Sequence, residues 1–132
     1  MKKKHEILKT ERLILKPFDE CDRYPMVDIL CNEEIKKTYM IPDFTEKKQA
    51  EDLFERIMNF SRSDEHFEYG IYLNDSLIGF VNDCGINDSM IELGYVIVPE
   101  HHRKGYATEA VQACISELFR RGFEHIRAGY FE

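Results

Sequence analysis

Residues 92–110 read Glu-Leu-Gly-Tyr-Val-Ile-Val-Pro-Glu-His-His-Arg-Lys-Gly-Tyr-Ala-Thr-Glu-Ala. An apolar run ends at Pro99, passes through a short basic loop with one glycine, and opens into a helical pattern. A helix start carries N–H donors without intrahelical partners and a partial positive charge, so such a loop suits a phosphate or pyrophosphate. Arg103 and Lys104 add full charge. Gly105 removes the Cβ that would hold a bulky anion off the backbone. Tyr106, Ala107 and Thr108 form the first helical turn, and the Thr108 hydroxyl offers a further donor. A P-loop needs Gly-x-x-x-x-Gly-Lys-Ser/Thr, which is absent, and a dinucleotide fingerprint needs two more glycines.

Working outward, 106–121 is read as a helix whose apolar face is Ala107, Ala110, Val111, Cys114, Ile115, Leu118 and Phe119. Gly122 is its left-handed stop. Residues 125–131 form a last strand that includes Ile126, Tyr130 and Phe131. Before the loop, 90–98 is nearly continuous apolar and therefore a central strand, with Gly94 as a candidate bulge. Residues 82–89 read as a turn. Phe67, Tyr69, Ile71 and Leu73 alternate, Asn74-Asp75-Ser76 is a tight connection, and 77–81 returns, which makes a hairpin. At the start, Leu13, Ile14 and Leu15 make a first strand ended by Pro17. Asp22 is a cap for a helix that tolerates Pro25 in its first turn and carries Tyr24, Val27, Leu30 and Cys31 on one side. After Pro42, Thr45 caps a second helix with Ala50, Leu53, Phe54, Ile57 and Met58 on one face.

The chain is 132 residues long, which is one domain over 1–132. Its net charge of −7 argues against a general nucleic-acid binder. Lys2, Lys3 and Lys4 form a second basic island. The four cysteines make no Cys-x-x-Cys and no zinc spacing with histidine, so they read as reduced thiols of a cytoplasmic protein with no metal. No apolar run approaches membrane-spanning length, and a signal-peptide core is missing.

The window His102-Arg103-Lys104-Gly105-Tyr106-Ala107 resembles the acyl-CoA motif Gln/Arg-x-x-Gly-x-Gly/Ala of the GNAT superfamily of N-acetyltransferases, with His at the first position. The continuation 105–110 and the opening Thr-Glu-Arg-Leu-Ile-Leu-Lys-Pro (10–17) are similar to the branch that acetylates the N-termini of ribosomal proteins. The resemblance implies an α/β fold with a mixed sheet in the order β-α-α-β-β-β-α-β, lacking the family's last helix and two strands. It also implies acetyl-CoA as co-substrate and an amine acceptor. The loop Arg103, Lys104, Gly105, Tyr106, Ala107 and Thr108 would hold the pyrophosphate. The main chain of Val96, Ile97 and Val98 would pair with the pantetheine arm.

The family often places a glutamate four to six residues before that segment. Glu92 stands there, and apolar neighbours on a strand should raise its pKa towards that of a useful base. Its bland reading is a cross-strand ion pair. Glu68, Glu109 and Asp83 are weaker candidates for the base. The general acid belongs, by resemblance, to a helix past Glu132; Tyr130, His101, His102 and His125 are substitutes more often found as structural residues. The implied reaction is direct acetyl transfer to a primary amine, on a protein N-terminus or a small molecule. The alternative is a CoA-binding module without catalysis, or a fragment folded only as a homo-oligomer through its exposed last strand.

Overall fold

The computed structural model describes residues 7–38, 44, 46–63, 66–87 and 89–128. The N-terminal lysines, Pro42, Thr45, Tyr130 and Phe131 lie outside the described residues. Two short strands, β1 (Leu8–Lys9) and β2 (Ile14–Lys16), lead through a 3-10 turn at Glu20–Asp22 into three helices, α1 (Arg23–Leu30), α2 (Glu33–Thr38) and α3 (Lys47–Ser61). Then follow β3 (Tyr69–Leu73), β4 (Ser76–Ile86), β5 (Met90–Ile97), a 3-10 turn at Pro99–His101, α4 (Tyr106–Arg120) and β6 (His125–Ala128). The strands form one six-stranded sheet in sequence order, antiparallel up to β5, with β6 parallel to β5.

This is the mixed α/β architecture expected, with two elements more. β1 escapes a periodicity reading because it is two residues long; Thr10 makes its turn, donating its N–H to the Leu13 carbonyl at 2.9 Å and accepting the Leu13 N–H at 2.9 Å. α2 is capped by Asn32, whose Oδ1 accepts the N–H groups of Glu34 and Ile35 at 2.8 and 3.1 Å. Asn followed by two glutamates was a legible helix start. Asp22 does not cap α1. Its carboxylate is buried, accepting the Asp19 N–H at 2.8 Å and the Tyr72 hydroxyl at 2.7 Å. Pro25 sits in the first turn of α1, where its missing N–H costs nothing.

The β3–β4 hairpin turns on Asn74 and Asp75, both at positive φ (51° and 70°), the backbone that a two-residue hairpin turn needs. The reading of 82–89 as a turn is overturned. β4 continues to Ile86, paired with β5 on both sides of a bulge at Cys84, and Asn87 Oδ1 accepts the Ser89 and Met90 N–H groups at the start of β5. The polar sequence Asn-Asp-Cys-Gly extends because the apolar β5 beside it supplies a ladder of partners, and tertiary pairing outweighs weak strand propensity. The register shift falls on β4 between Asp83 and Gly85, whereas Gly94 pairs in register with Asn82, so the bulge is not at Gly94. Gly79 is needed elsewhere. A Cβ there would lie 2.0 Å from the Val96 carbonyl oxygen across the ladder.

The sheet separates two cores. On one face Leu15, Tyr69, Ile71, Val81, Leu93 and Ile97 pack with Ala110, Cys114 and Leu118 of α4. On the other, Phe80 and Val96 pack with Phe18, Met26, Leu30 and Phe54 of the α1–α3 side. Strand alternation then places Glu68, Glu92 and Gly94 on the α1–α3 face. Of the expected stripe α4 buries Ala110, Cys114 and Leu118 and half-buries Ala107, Val111 and Ile115, while Phe119, one residue before the helix stops, is 53% exposed. Gly122, at φ +106°, reverses the chain there. Among the described residues no helix is long and apolar enough to cross a membrane.

Candidate acyl-CoA site

β5 delivers the chain to the loop. The Val98 N–H donates to the Ile78 carbonyl at 2.8 Å, which fixes the alternation of the ladder. Val98, Val96 and Gly94 direct their backbone groups into β4, so Val96 and Val98 cannot pair with an arm on the other side. The backbone groups of Ile97 and Tyr95 face away from β4. Within the expected trio only Ile97 turns its backbone away from β4, as Tyr95 does, and the Ile97 carbonyl oxygen is taken by His102.

His102 fills the first position of the motif and acts structurally. Its Nε2 lies 2.6 Å from the Ile97 carbonyl oxygen, tying the loop back to the strand end. Arg103 has φ +64° and Gly105 φ +82°, so the chain makes two left-handed steps immediately before α4. The consequence is a run of inward and outward turns that leaves successive donors unused. Among the described residues, no protein acceptor meets the backbone N–H groups of Arg103, Lys104, Gly105, Tyr106, Ala107 or Thr108; the first closed bond of the helix is Glu109 N–H to the Gly105 carbonyl, at 3.0 Å. Arg103, Lys104, Gly105 and Thr108 are exposed. The arrangement is a run of unmet donors at a helix start, with two exposed cationic side chains in the same loop. His101 packs its ring edge-on against Tyr106 at 5.8 Å, and its buried Nδ1 has no hydrogen-bond partner.

Glu92 sits on β5 opposite Gly85 and beside Arg127 of β6. Among the described residues no ion pair or hydrogen bond engages its carboxylate. It is half-buried and raises the pKa of the neighbouring Cys84 thiol, whose first cause of elevation is burial. Glu109, a weaker candidate for the base, is engaged at the β1–β2 corner. Its carboxylate accepts from the Thr10 hydroxyl and from the Arg12 N–H and Nε, and these bonds hold it below the usual carboxylate range.

Glu68 and Asp83 form a carboxyl pair with His66 at the mouth of β3. His66 Nδ1 lies 3.2 Å from Asp83 Oδ2, and the Phe67 N–H donates to Asp83 Oδ1 at 2.9 Å. Burial, then the neighbouring Asp83 charge, pushes the Glu68 carboxyl up to about 8. Near neutrality Glu68 holds a proton and donates it to Asp83, which relieves the like-charge contact. The three side chains bring ligand-type atoms within 4.8 Å of one another, a cluster that sequence spacing does not announce because it joins the residues just before β3 to an interior position of β4.

The model of the acetyltransferase (GNAT) domain family matches residues 12–131. The chain is 33% identical over 125 residues to the uncharacterised N-acetyltransferase p20 of Bacillus licheniformis, covering 86% of this chain and 66% of that protein. It is 27% identical over 117 residues to the uncharacterised N-acetyltransferase YoaA of Bacillus subtilis (strain 168), with the same 86% and 66% coverage. The chain thus spans 66% of the length of these curated relatives. Among solved structures, the GNAT-family acetyltransferase of Bacillus anthracis superposes with a TM-score of 0.78 at 21% identity, covering 92% of this chain and 72% of that one. RimL, the ribosomal L7/L12 α-N-protein acetyltransferase, superposes with a TM-score of 0.75 at 16% identity, covering 89% and 66%; these two likenesses speak for the fold. With the family model spanning nearly the whole sequence, the chain belongs to the GNAT acetyltransferase family.

Proposed function

We propose that this chain is an acetyl-CoA-dependent N-acetyltransferase that moves an acetyl group to a primary amine by direct transfer. The observation that carries the reading is the run of unmet backbone donors at 103–108, set at the start of a 15-residue helix with Arg103 and Lys104 alongside. A pyrophosphate bound there would direct the pantetheine arm along the side of β5 to which Ile97 and Tyr95 turn their backbone. The thioester would then approach Glu92 on the α1–α3 face. Glu92, directly or through a water, takes the proton from the ammonium. The freed nitrogen forms a bond to the acetyl carbon as the carbon–sulfur bond breaks; the nitrogen then gives up its second proton to solvent, and the departing CoA thiolate takes one from it. Backbone N–H groups facing away from β4 stabilise the developing oxyanion. The likeness to the Microcin C7 self-immunity acetyltransferase MccE, solved with acetyl-CoA and AMP, supports the cofactor class (TM-score 0.73, 17% identity, 86% of this chain and 66% of that one).

The test is calorimetric titration with CoA and acetyl-CoA, followed by thiol release with a panel of amines. The panel holds peptide N-termini, polyamines, aminoglycosides and amino acids. Binding of CoA with amine-dependent thiol release is the expected result. CoA binding with no release for any amine would leave only the non-catalytic binding module, and absence of CoA binding would overturn the reading altogether.

A further inference from the structure

We infer that Arg12, from the β1–β2 corner, is a pyrophosphate-binding cation of the cofactor site, held in position by Glu109; the inference rests on the acyl-CoA reading above. Arg12 lies more than ninety positions before the loop in sequence, yet its side chain reaches the loop. Its guanidinium carbon stands 4.4 Å over the Tyr106 ring, and Nη2 is 3.3 Å from where a Cβ on Gly105 would be. Tyr106 is thus flanked by a cation on one side and the His101 ring on another.

Glu109 does the positioning. It takes the backbone N–H of Arg12 at 2.8 Å and Nε at 2.7 Å, while Thr10 donates a third bond to the same carboxylate. A guanidinium bound through Nε has its outer edge, Nη1 and Nη2, left over. Among the described residues no acceptor engages either terminal nitrogen. The side chain is 42% exposed, so that edge is open to solvent and to a ligand.

Two independent features therefore meet at Gly105. One is the row of unmet backbone donors. The other is a fork of two N–H donors whose stem is immobilised by a carboxylate and an aromatic face. A planar fork with fixed orientation suits bidentate contact with phosphate oxygens, and prior immobilisation removes much of the ordering cost of binding. The loop lysine and arginine are exposed and carry no such restraint, so Arg12 should outweigh either of them.

Calorimetry of wild type, Arg12→Gln and Arg12→Lys against CoA, 3′-dephospho-CoA and pantetheine tests this, with ligand-free thermal melts as the structural control. Arg12→Gln should weaken CoA and 3′-dephospho-CoA equally, by about tenfold, with pantetheine binding unchanged. Arg12→Lys should recover only part of the loss, since it keeps the charge but not the fork. A loss confined to CoA would assign Arg12 to the 3′-phosphate and overturn the pyrophosphate contact. A loss that extends to pantetheine, or follows a collapse of the melting temperature, would make Arg12 a folding residue and overturn the inference. Unchanged affinity in Arg12→Gln would overturn it while the acyl-CoA reading stands. Absence of CoA binding by wild type would remove that reading and the inference with it.

Discussion

Glu92 owes its candidacy to what surrounds it. A strand carboxylate normally finds a cross-strand cation, and here Arg127 is its register neighbour, yet the two make no ion pair. Among the described residues no other cation meets the carboxylate, so it is a candidate to receive a substrate ammonium. Glu92→Gln should lower turnover roughly a hundredfold while CoA affinity stays within twofold, because no part of the cofactor loop touches the side chain. Steady-state rates from pH 6 to 9, with calorimetry on the same samples, check this. Wild-type turnover across that range would move the base to the His66, Glu68 and Asp83 group. Arg103 poses a second question at this scale. It holds φ +64° without being glycine, a strain of about 1 kcal/mol. Arg103→Gly should raise the melting temperature and weaken CoA binding modestly. A variant less stable than wild type would show that the left-handed step is not strained.

At the level of elements, the loop and α4 act as one unit because Gly105 is both the helix N-cap and the left-handed step before it. Gly105→Val combines a disfavoured φ with a side chain pressed towards Arg12 Nη2. It should abolish measurable CoA binding while leaving the far-ultraviolet circular dichroism unchanged. Retained affinity would exclude the loop as the anion site. Gly79 is the counterpart in the sheet. The 2.0 Å approach to the Val96 carbonyl oxygen means that even Gly79→Ala must push β4 from β5. The expected outcome is a loss of several degrees in melting temperature, since the ladder carrying β5 to the loop is the one disturbed. An unshifted melt would mean that the strands part there at little cost.

The whole molecule should show a stability optimum bounded on both sides by named carboxyls. Glu109 is held below its ordinary range by Thr10 and Arg12. For Glu117 burial alone would raise the pKa, but Arg120 and Arg121 together outweigh it. Depressed carboxyls stabilise the fold above their unfolded pKa and lose that contribution as pH falls through their folded one. Glu68 runs the other way. Its pKa of about 8 lies above the unfolded value, so its contribution is full below about 4.5 and is lost as pH rises through about 8. The melting temperature should therefore fall on acidification and again between about pH 5 and 9. Glu68→Gln should flatten the alkaline limb only. If the variant keeps the alkaline decline, Glu68 does not share a proton with Asp83.

The division between sequence and tertiary structure follows from how far each signal reaches. Local order was legible: the α4 stripe with its glycine at either end, the Asn-Asp hairpin and the apolar β5 are all set by neighbours within a few positions. The loop was legible too, because its chemistry is mostly backbone and its residues are consecutive. What the sequence alone did not decide involves contacts across the chain. The polar stretch 82–86 became strand because β5 offered partners. The ladder phase, fixed by the Val98–Ile78 bond, chose Ile97 and Tyr95 over Val96 and Val98 to face away from β4. Arg12 reached Gly105 because packing of α4 against β1 brought residues from the two ends together. Periodicity is a one-dimensional quantity, whereas ladder phase, burial of a charge and a fork held by a distant carboxylate exist only once the layers have closed.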